Sequence, residues 1–301
     1  MRLKRFVPPT RNEYRQVLAN LKIPPSLGKR PRVEGSVWAV TMVRNEEDTI
    51  GRTVRHLFRQ GVDGVIVADN LSTDGTARVL RELAEGLPVH VAHDGLVAYY
   101  QGTKMTVLAD MARRSGADWI VPFDADELWF ARDALLADWL RTSDVPVVGA
   151  RIHNVFPALT DDAADQNPFS RLRLMDLSPS PYTKVAFRAI PGATIEMGNH
   201  GVLRRGPYGD HALRIAHFPW RSLEQLKDKV VAGSRAVLAV GDLQSVSVEH
   251  WRTLAANDAE LAEVAWASLC RGQAITGSGW LPVGRLVEMP VWTWPTWRLE
   301  V

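Results

Sequence analysis

Hydrophobic positions in the first 125 residues follow two periods in turn. Val37-Trp38-Ala39-Val40-Thr41-Met42-Val43 is a nearly unbroken apolar run, the pattern of a strand covered on both faces. Arg44-Asn45-Glu46-Glu47-Asp48 follows at once, and then Ile50, Val54, Leu57 and Phe58 recur at helical spacing. The same unit repeats. Gly64 to Ala68 predicts a second strand, ending in Asp69-Asn70, and a helix from about Ala77 to Ala84 follows the loop 71–76. Val89 to Ala92 is a short third strand, and Met105, Leu108, Met111 and Ala112 mark a helix over 101–114 that Gly116 stops. Trp119-Ile120-Val121-Pro122-Phe123 is the fourth apolar run and breaks off at Asp124-Ala125-Asp126-Glu127. Strand and helix alternating in this way predict an α/β fold, with a mostly parallel sheet flanked by helices.

Beyond the acidic triplet the pattern predicts a helix over 134–140 and a strand over 147–152. From Phe156 to Pro181 it gives way to Asp, Asn, Ser and Pro, a long loop of the kind that is functional or disordered. Short strands are expected at 184–188, 201–203 and 213–217. Ser222-Leu223-Glu224-Gln225 is a capping box for a helix to about Val240, and a second helix should run from Asn257 through Cys270. The tail, Trp280 to Val301, holds four of the eleven tryptophans; it could pack on the last helices, stack on a ligand ring or form a homodimer contact, and packing is expected. Three regions result: a Pro-rich arm over 1–35, an α/β domain over 36–220 and a helical extension over 221–301.

Composition adds little except for charge. Hydrophobic content of 46% and charged content of 23% are those of an ordinary globular chain. No apolar run reaches the roughly 18 residues of a membrane span, and a cytoplasmic protein is expected. The single cysteine, Cys270, precludes an internal disulfide or a cysteine-based zinc site and is expected in the core. The formal net charge of +2 conceals an asymmetry, because residues 1–35 carry nine Lys and Arg against two acidic residues. Such an arm either wraps its own acidic body or contacts an anionic surface, which would make the protein membrane-associated.

Three carboxylates within four residues cannot stay unpaired in a core, so the 119–123 run must deliver them to a sheet rim. Clustered carboxylates there suit a hard divalent cation, although a solvated loop gives the same pattern. Glycine-rich dinucleotide and P-loop signatures and the G-x-S-x-G elbow are all absent. What remains are three polar clusters at the carboxyl ends of predicted strands: Thr41/Arg44/Asn45/Glu46, Asp69/Asn70 and Asp124/Asp126.

Val43-Arg44-Asn45-Glu46, Ala68-Asp69-Asn70-x-Ser72-Thr73-Asp74-Gly75-Thr76 and Asp124-Ala125-Asp126-Glu127 together resemble the family 2 glycosyltransferases of the GT-A fold. His217-Phe218-Pro219-Trp220-Arg221-Ser222 and Gly198-Asn199-His200 resemble one branch of that family. The resemblance is strong over 36–152, weaker over 180–240 and absent from the arm and the tail. It implies a metal-dependent transfer of a sugar from a nucleotide-diphospho donor, UDP-linked, to a hydroxyl acceptor, with inversion. Mn²⁺ or Mg²⁺ would stabilise the leaving diphosphate. By the same resemblance Asp126 is the direct metal ligand, Asp124 holds the ribose and a metal-bound water, and Asp69 accepts from the base. The 41–46 loop would wrap base and ribose. Asn70 departs from the commoner Asp but still hydrogen-bonds.

Other residues carry weaker expectations. Lys104 would pair with a phosphate or stay solvated. His217 would complete the metal shell, hold the diphosphate or be structural, with Arg221 and Lys229 adding positive charge. His56, His90, His93, His153 and His250 are expected to be structural or surface residues. The family's Glu-Asp base pair is missing, so Glu196 is the first candidate for the base and His200 the second. Asp161, Asp162, Asp165, Asp176 and Asp210 stay open. Two other readings compete: a sugar-phosphate nucleotidyltransferase, which the acidic, glycine-free 44–48 loop disfavours, and a non-catalytic sugar-nucleotide-binding module.

Overall fold

Strand β5 (Trp119–Pro122) sits near the middle of the sheet, and all four of its residues are buried. Parallel to it runs β2 (Val37–Val43), then β3 (Gly64–Asp69), then β4 (Val89–Asp94). The structure, a computed structural model, describes residues 8–162, 164–229, 258–273 and 282–289. Alternation along β2 sorts its side chains between two cores. Val37, Ala39 and Val43 pack with α2 (Ile50–Arg59), α3 (Thr76–Gly86) and α5 (Leu136–Arg141). Trp38 and Val40 pack with α1 (Arg11–Asn20) and α4 (Gln101–Arg114) on the other face. Both faces are covered at β2, β3 and β5, which is why these three strands read as continuous apolar runs.

The other half of the sheet is mixed. Antiparallel to β5 lies β9 (Thr183–Arg188), followed by β7 (Val147–Phe156), β12 (Leu213–His217) and β6 (Glu127–Phe130). β7 and β12 are parallel, and β12 pairs with β6 antiparallel, so His217 stands opposite Glu127. β6 was not expected: the chain turns at the acidic triplet and re-enters the sheet. The 157–181 stretch was expected to be a structureless loop. It contains α6 (Pro168–Arg171) and β8 (Leu174–Asp176), and β8 pairs with β13 (Leu286–Glu288). A small hairpin, β10 (Thr194–Ile195) and β11 (Val202–Leu203), packs on α4.

The described part of the basic arm, from residue 8 onward, wraps the body. β1 (Leu21–Lys22) adds to the edge of β4, and the backbone N–H groups of Arg30 and Val33 donate to Arg114 and Gly116 carbonyls at 2.8 and 2.9 Å. Asp118, fully buried, accepts from Gly35 N–H and pairs with Arg32. At the far end, residues 223–229 are helical and α7 spans Asp258–Cys270, with Cys270 half-buried rather than in the core. The rest of the helix expected to reach Val240, and the tail's tryptophans, lie outside the described residues. No described helix is long and apolar enough to cross a membrane.

Helix α2 fixes the acidic turn from behind. Thr53 Oγ1 donates to Ala125 O at 2.6 Å, and His56 Nε2 donates to Trp129 O at 2.8 Å. Burial lowers the His56 pKa to about 4, against a weaker opposing effect of that hydrogen bond. The unfolded chain therefore takes up a proton near pH 6.5, while the fold resists it until about pH 4. Stability is full above pH 6.5 and falls on acidification. The expected loss from this group between pH 6.5 and 5 is about 2 kcal/mol. Urea titrations of wild type and His56→Gln, which can keep the bond to Trp129, check this: the variant should lose that part of the slope.

Candidate active site

A cleft of about 560 Å³ opens beyond the carboxyl ends of β2, β3 and β5, lined by Arg44, Asn45, Glu46, Asn70, Asp124, Asp126 and His217 among others. Two loops form one wall. Asn45 adopts a left-handed conformation (φ 55°), tolerated by asparagine, and its Oδ1 accepts from Thr73 N–H at 2.8 Å. Its own N–H donates to Ser72 Oγ at 3.0 Å, and Glu46 N–H donates to Thr76 Oγ1 at 2.8 Å. The 44–48 and 71–76 loops are thereby zipped together by side chains that the resemblance motif supplies.

Asp124 and Asp126 leave the turn after β5 towards separate cationic partners. Asp124 Oδ2 lies 2.5 Å from Lys184 Nζ, and Oδ1 accepts from Asn199 Nδ2 at 3.2 Å. The same lysine stands 2.6 Å from Glu127 Oε1. Burial alone would lower the Lys184 pKa, but Asp124 and Glu127 outweigh it and push it above the usual range. Burial raises the Glu127 carboxyl, and Lys184 offsets this only in part.

Asp126 is 3% exposed. Its Oδ2 lies 3.0 Å from Lys229 Nζ and 3.3 Å from Arg221 Nη1, while Oδ1 faces His217 Nε2 at 3.6 Å. Burial would raise the Asp126 pKa, yet Lys229, His217 and Arg221 together hold it well below the usual carboxylate range. Arg221, fully enclosed, also bonds Glu46 at 2.5 Å and Asp48 at 2.7 Å. One guanidinium thus ties the loop after β2 to the acidic turn.

The expected site residues sort as follows. Arg44, Asn45, Glu46, Asn70, Asp124, Asp126 and His217 line the cleft, and Arg221 lies directly behind it. Asp69 ends β3 beside the cleft without lining it and accepts from Ser72 N–H at 3.2 Å. Thr41 is fully buried inside β2 and does not reach the cleft. Lys104 is neither solvated nor turned to a ligand. It is 1% exposed, pairs with Asp94 at 2.7 Å and donates to Leu96 O at 2.8 Å. Burial lowers its pKa, with Asp94 opposing. Asn70 Nδ2 joins that network, donating to Asp94 Oδ2 at 2.8 Å.

Glu196 and His200, expected as the base, do not line the cleft. Gly198 (φ 79°) and Asn199 (φ 60°) both turn left-handed, and this swings Asn199, not its neighbours, onto Asp124. Glu196 O accepts from Asn199 N–H at 2.9 Å, and His200 bonds Thr183 O at 2.8 Å and stacks on Tyr182. Sequence reasoning missed Lys184 and Asn199, which hold Asp124, and Tyr99, which lines the cleft. A lysine inside the apolar strand Lys184-Val185-Ala186-Phe187 was the available signal, because a buried ammonium requires a carboxylate.

Among the described residues no three His, Cys, Asp or Glu side chains close around one point as a complete metal shell. A partial shell does fit. His217 Nδ1 lies 2.8 Å from Asn154 Oδ1 and its Nε2 faces Asp126 Oδ1 at 3.6 Å; with the ring neutral and its proton on Nδ1, Nε2 carries a lone pair. In that form Nε2 and the Asp126 carboxylate suit a shared cation, and Mn²⁺ or Mg²⁺ commonly takes one or two protein ligands plus phosphate and water.

The profile of the family described as Glycosyl transferase family 2 matches residues 38–210. No curated protein matches this chain. Among solved structures, S. aureus TarS 1-349 in complex with UDP is 14% identical, with 65% of each chain covered and a TM-score of 0.41. The same protein with UDP-GlcNAc is 11% identical over 77% of this chain and 72% of that one, TM-score 0.41. Glucosyl-3-phosphoglycerate synthase from Mycobacterium tuberculosis, in complex with Mn²⁺, UDP and glucosyl-3-phosphoglycerate, is 24% identical over 39% of this chain and 44% of that one, TM-score 0.29.

Proposed function

This chain belongs to glycosyl transferase family 2, and from that membership we propose that it transfers a sugar from a UDP-linked donor to a hydroxyl acceptor, with inversion and with a divalent cation. The observation that carries the reading is the charge of the cleft. Eight acidic side chains line it against three basic ones, Arg44, Arg171 and Lys229. A bare diphosphate would be repelled there; a diphosphate bound with a cation would not. Asp126 and His217 would hold Mn²⁺ or Mg²⁺, which when bound supplies electrophilic stabilisation of the departing diphosphate. Asp124, held by Lys184 and Asn199, is the more exposed carboxylate and would accept from a ribose hydroxyl on its open side. Asp69 and the zipped loops would enclose the base.

Two lining carboxylates, Glu224 and Asp228, have no ion pair or hydrogen bond among the described residues and stand exposed on the 223–229 helix. In place of Glu196 and His200, we assign the acceptor's proton to one of this pair. Titration calorimetry with UDP, GDP and dTDP, each with Mn²⁺ and with chelator, tests the donor. UDP should bind only with the cation; binding of none of the three sinks the proposal.

Lys229 sharpens the test. Its side chain is about a third exposed and would compete with a cation for Asp126 Oδ2, while as a cleft-lining cation it would also pair with the diphosphate of a bound donor. Lys229→Met should bind Mn²⁺ alone more tightly and Mn²⁺·UDP more weakly, each by about tenfold, the scale of one charge-assisted hydrogen bond. Equal shifts in the same direction would refute this placement.

A further inference from the structure

We propose that the face opposite the cleft docks on an anionic lipid bilayer, with headgroup phosphates entering a basic recess. The recess, about 630 Å³, is lined by Lys29, Arg30, Arg32, Arg113 and Arg114 with no acidic residue. Two carboxylates behind them are each shared by two guanidiniums. Asp110 pairs with Arg113 at 2.7 Å and Arg114 at 2.8 Å, and Asp118 pairs with Arg32 and with Arg188 at 2.9 Å. Each cluster therefore keeps one positive charge, and Lys29 and Arg30 add two more with no carboxylate partner among the described residues.

Directly beside the recess lies a groove of about 660 Å³ that shares Lys29, Arg113 and Arg114 with it. Its wall includes Leu18 and Ile23, which are 57% and 47% exposed, and Val33 nearby is 60% exposed. Cationic side chains bordered by bare aliphatic ones suit a bilayer interface, which offers phosphate and hydrocarbon at adjacent depths. Nucleic acid would gain nothing from Leu18 or Ile23, and the groove's aromatic side chain, Tyr14, is half-buried on α1. Ala117 borders the recess just before β5 and Asp124 borders the cleft just after it. Docking would thus leave the cleft mouth unobstructed, and it does not depend on what the cleft binds.

The full chain should cosediment with vesicles of mixed phosphatidylcholine and phosphatidylglycerol and not with phosphatidylcholine alone, with binding that weakens as salt rises. Each cation contributes on the order of fivefold, so Lys29→Glu/Arg30→Glu should lower the partition at least about 25-fold. Leu18→Ser/Ile23→Ser should remove the part of the binding that survives high salt. Circular dichroism and UDP titration should be unchanged in both variants, which separates lost docking from lost folding or lost donor binding. Wild-type binding that ignores phosphatidylglycerol, or a charge-reversed variant that still binds, overturns the proposal. So does a surface that retains single-stranded oligonucleotide and no vesicle.

Discussion

Asp126→Asn should abolish the cation's effect on UDP binding, a loss of at least about 100-fold, while leaving a folded protein of lower stability. The amide keeps the volume of the carboxylate but removes the charge facing His217 Nε2, and an outer-shell change alone typically costs 10- to 100-fold in metal affinity. The stability loss follows from the other oxygen. Lys229, His217 and Arg221 together hold the Asp126 carboxyl well below its ordinary pKa despite burial. A depressed carboxyl stabilises the fold fully above its unfolded pKa, near 3.9, and the contribution fades as pH falls through the folded value. The variant should therefore lose about 1.5–3 kcal/mol at neutral pH and close the gap to wild type in acid. Asp124→Asn is the control, because its side chain is 37% exposed and solvent screens the loss. Calorimetry with UDP and Mn²⁺, together with urea titrations at pH 7 and pH 3, reads both effects. An Asp126→Asn protein that still responds to Mn²⁺ would remove Asp126 from the metal site.

The parallel half of the sheet was legible because β2, β3 and β5 are buried on both faces and the crossover helices carry apolar residues at helical spacing. The other half was not. β9, β7, β12 and β6 pair across 60 or more residues in places, as in His217 with Glu127, and no local pattern encodes which strand reverses. β6 was hidden for a second reason: Glu127 opens it, and a fully buried glutamate reads as loop until Lys184 is seen beside it. Motif residues told which loops meet at the cleft, not what each side chain does there. Lys104 has its carboxylate ten residues upstream at the end of β4, outside any helical spacing, so its structural pairing with Asp94 was invisible. In Gly198-Asn199-His200 the backbone decides which side chain faces Asp124, and two successive left-handed residues select the asparagine. Backbone turns of that kind leave little trace in polarity.

Arg221→Met is expected to be the most destabilising single change at the site, by about 3–5 kcal/mol near pH 8. The guanidinium is 1% exposed and satisfies Glu46, Asp48 and Asp126 at once. Removing it leaves three carboxylates around one remaining cation, Lys229, in a setting where unpaired charge is costly. The pH dependence gives the diagnosis. Burial already raises the Glu46 pKa, and Arg221 is the largest force holding it down. Without Arg221 the carboxyl should rise further, and a carboxyl whose folded pKa exceeds its unfolded one destabilises at high pH and is relieved as pH falls. The deficit of Arg221→Met should therefore be smaller at pH 5 than at pH 8. Arg221→Lys should recover only part of the loss, because an ammonium cannot reproduce the planar fork that spans Glu46 and Asp48. Denaturant titrations of the three proteins at both pH values decide it. A deficit that does not change with pH would mean that Arg221 acts through packing alone, and that the tie between the 44–48 loop and the acidic turn is not electrostatic.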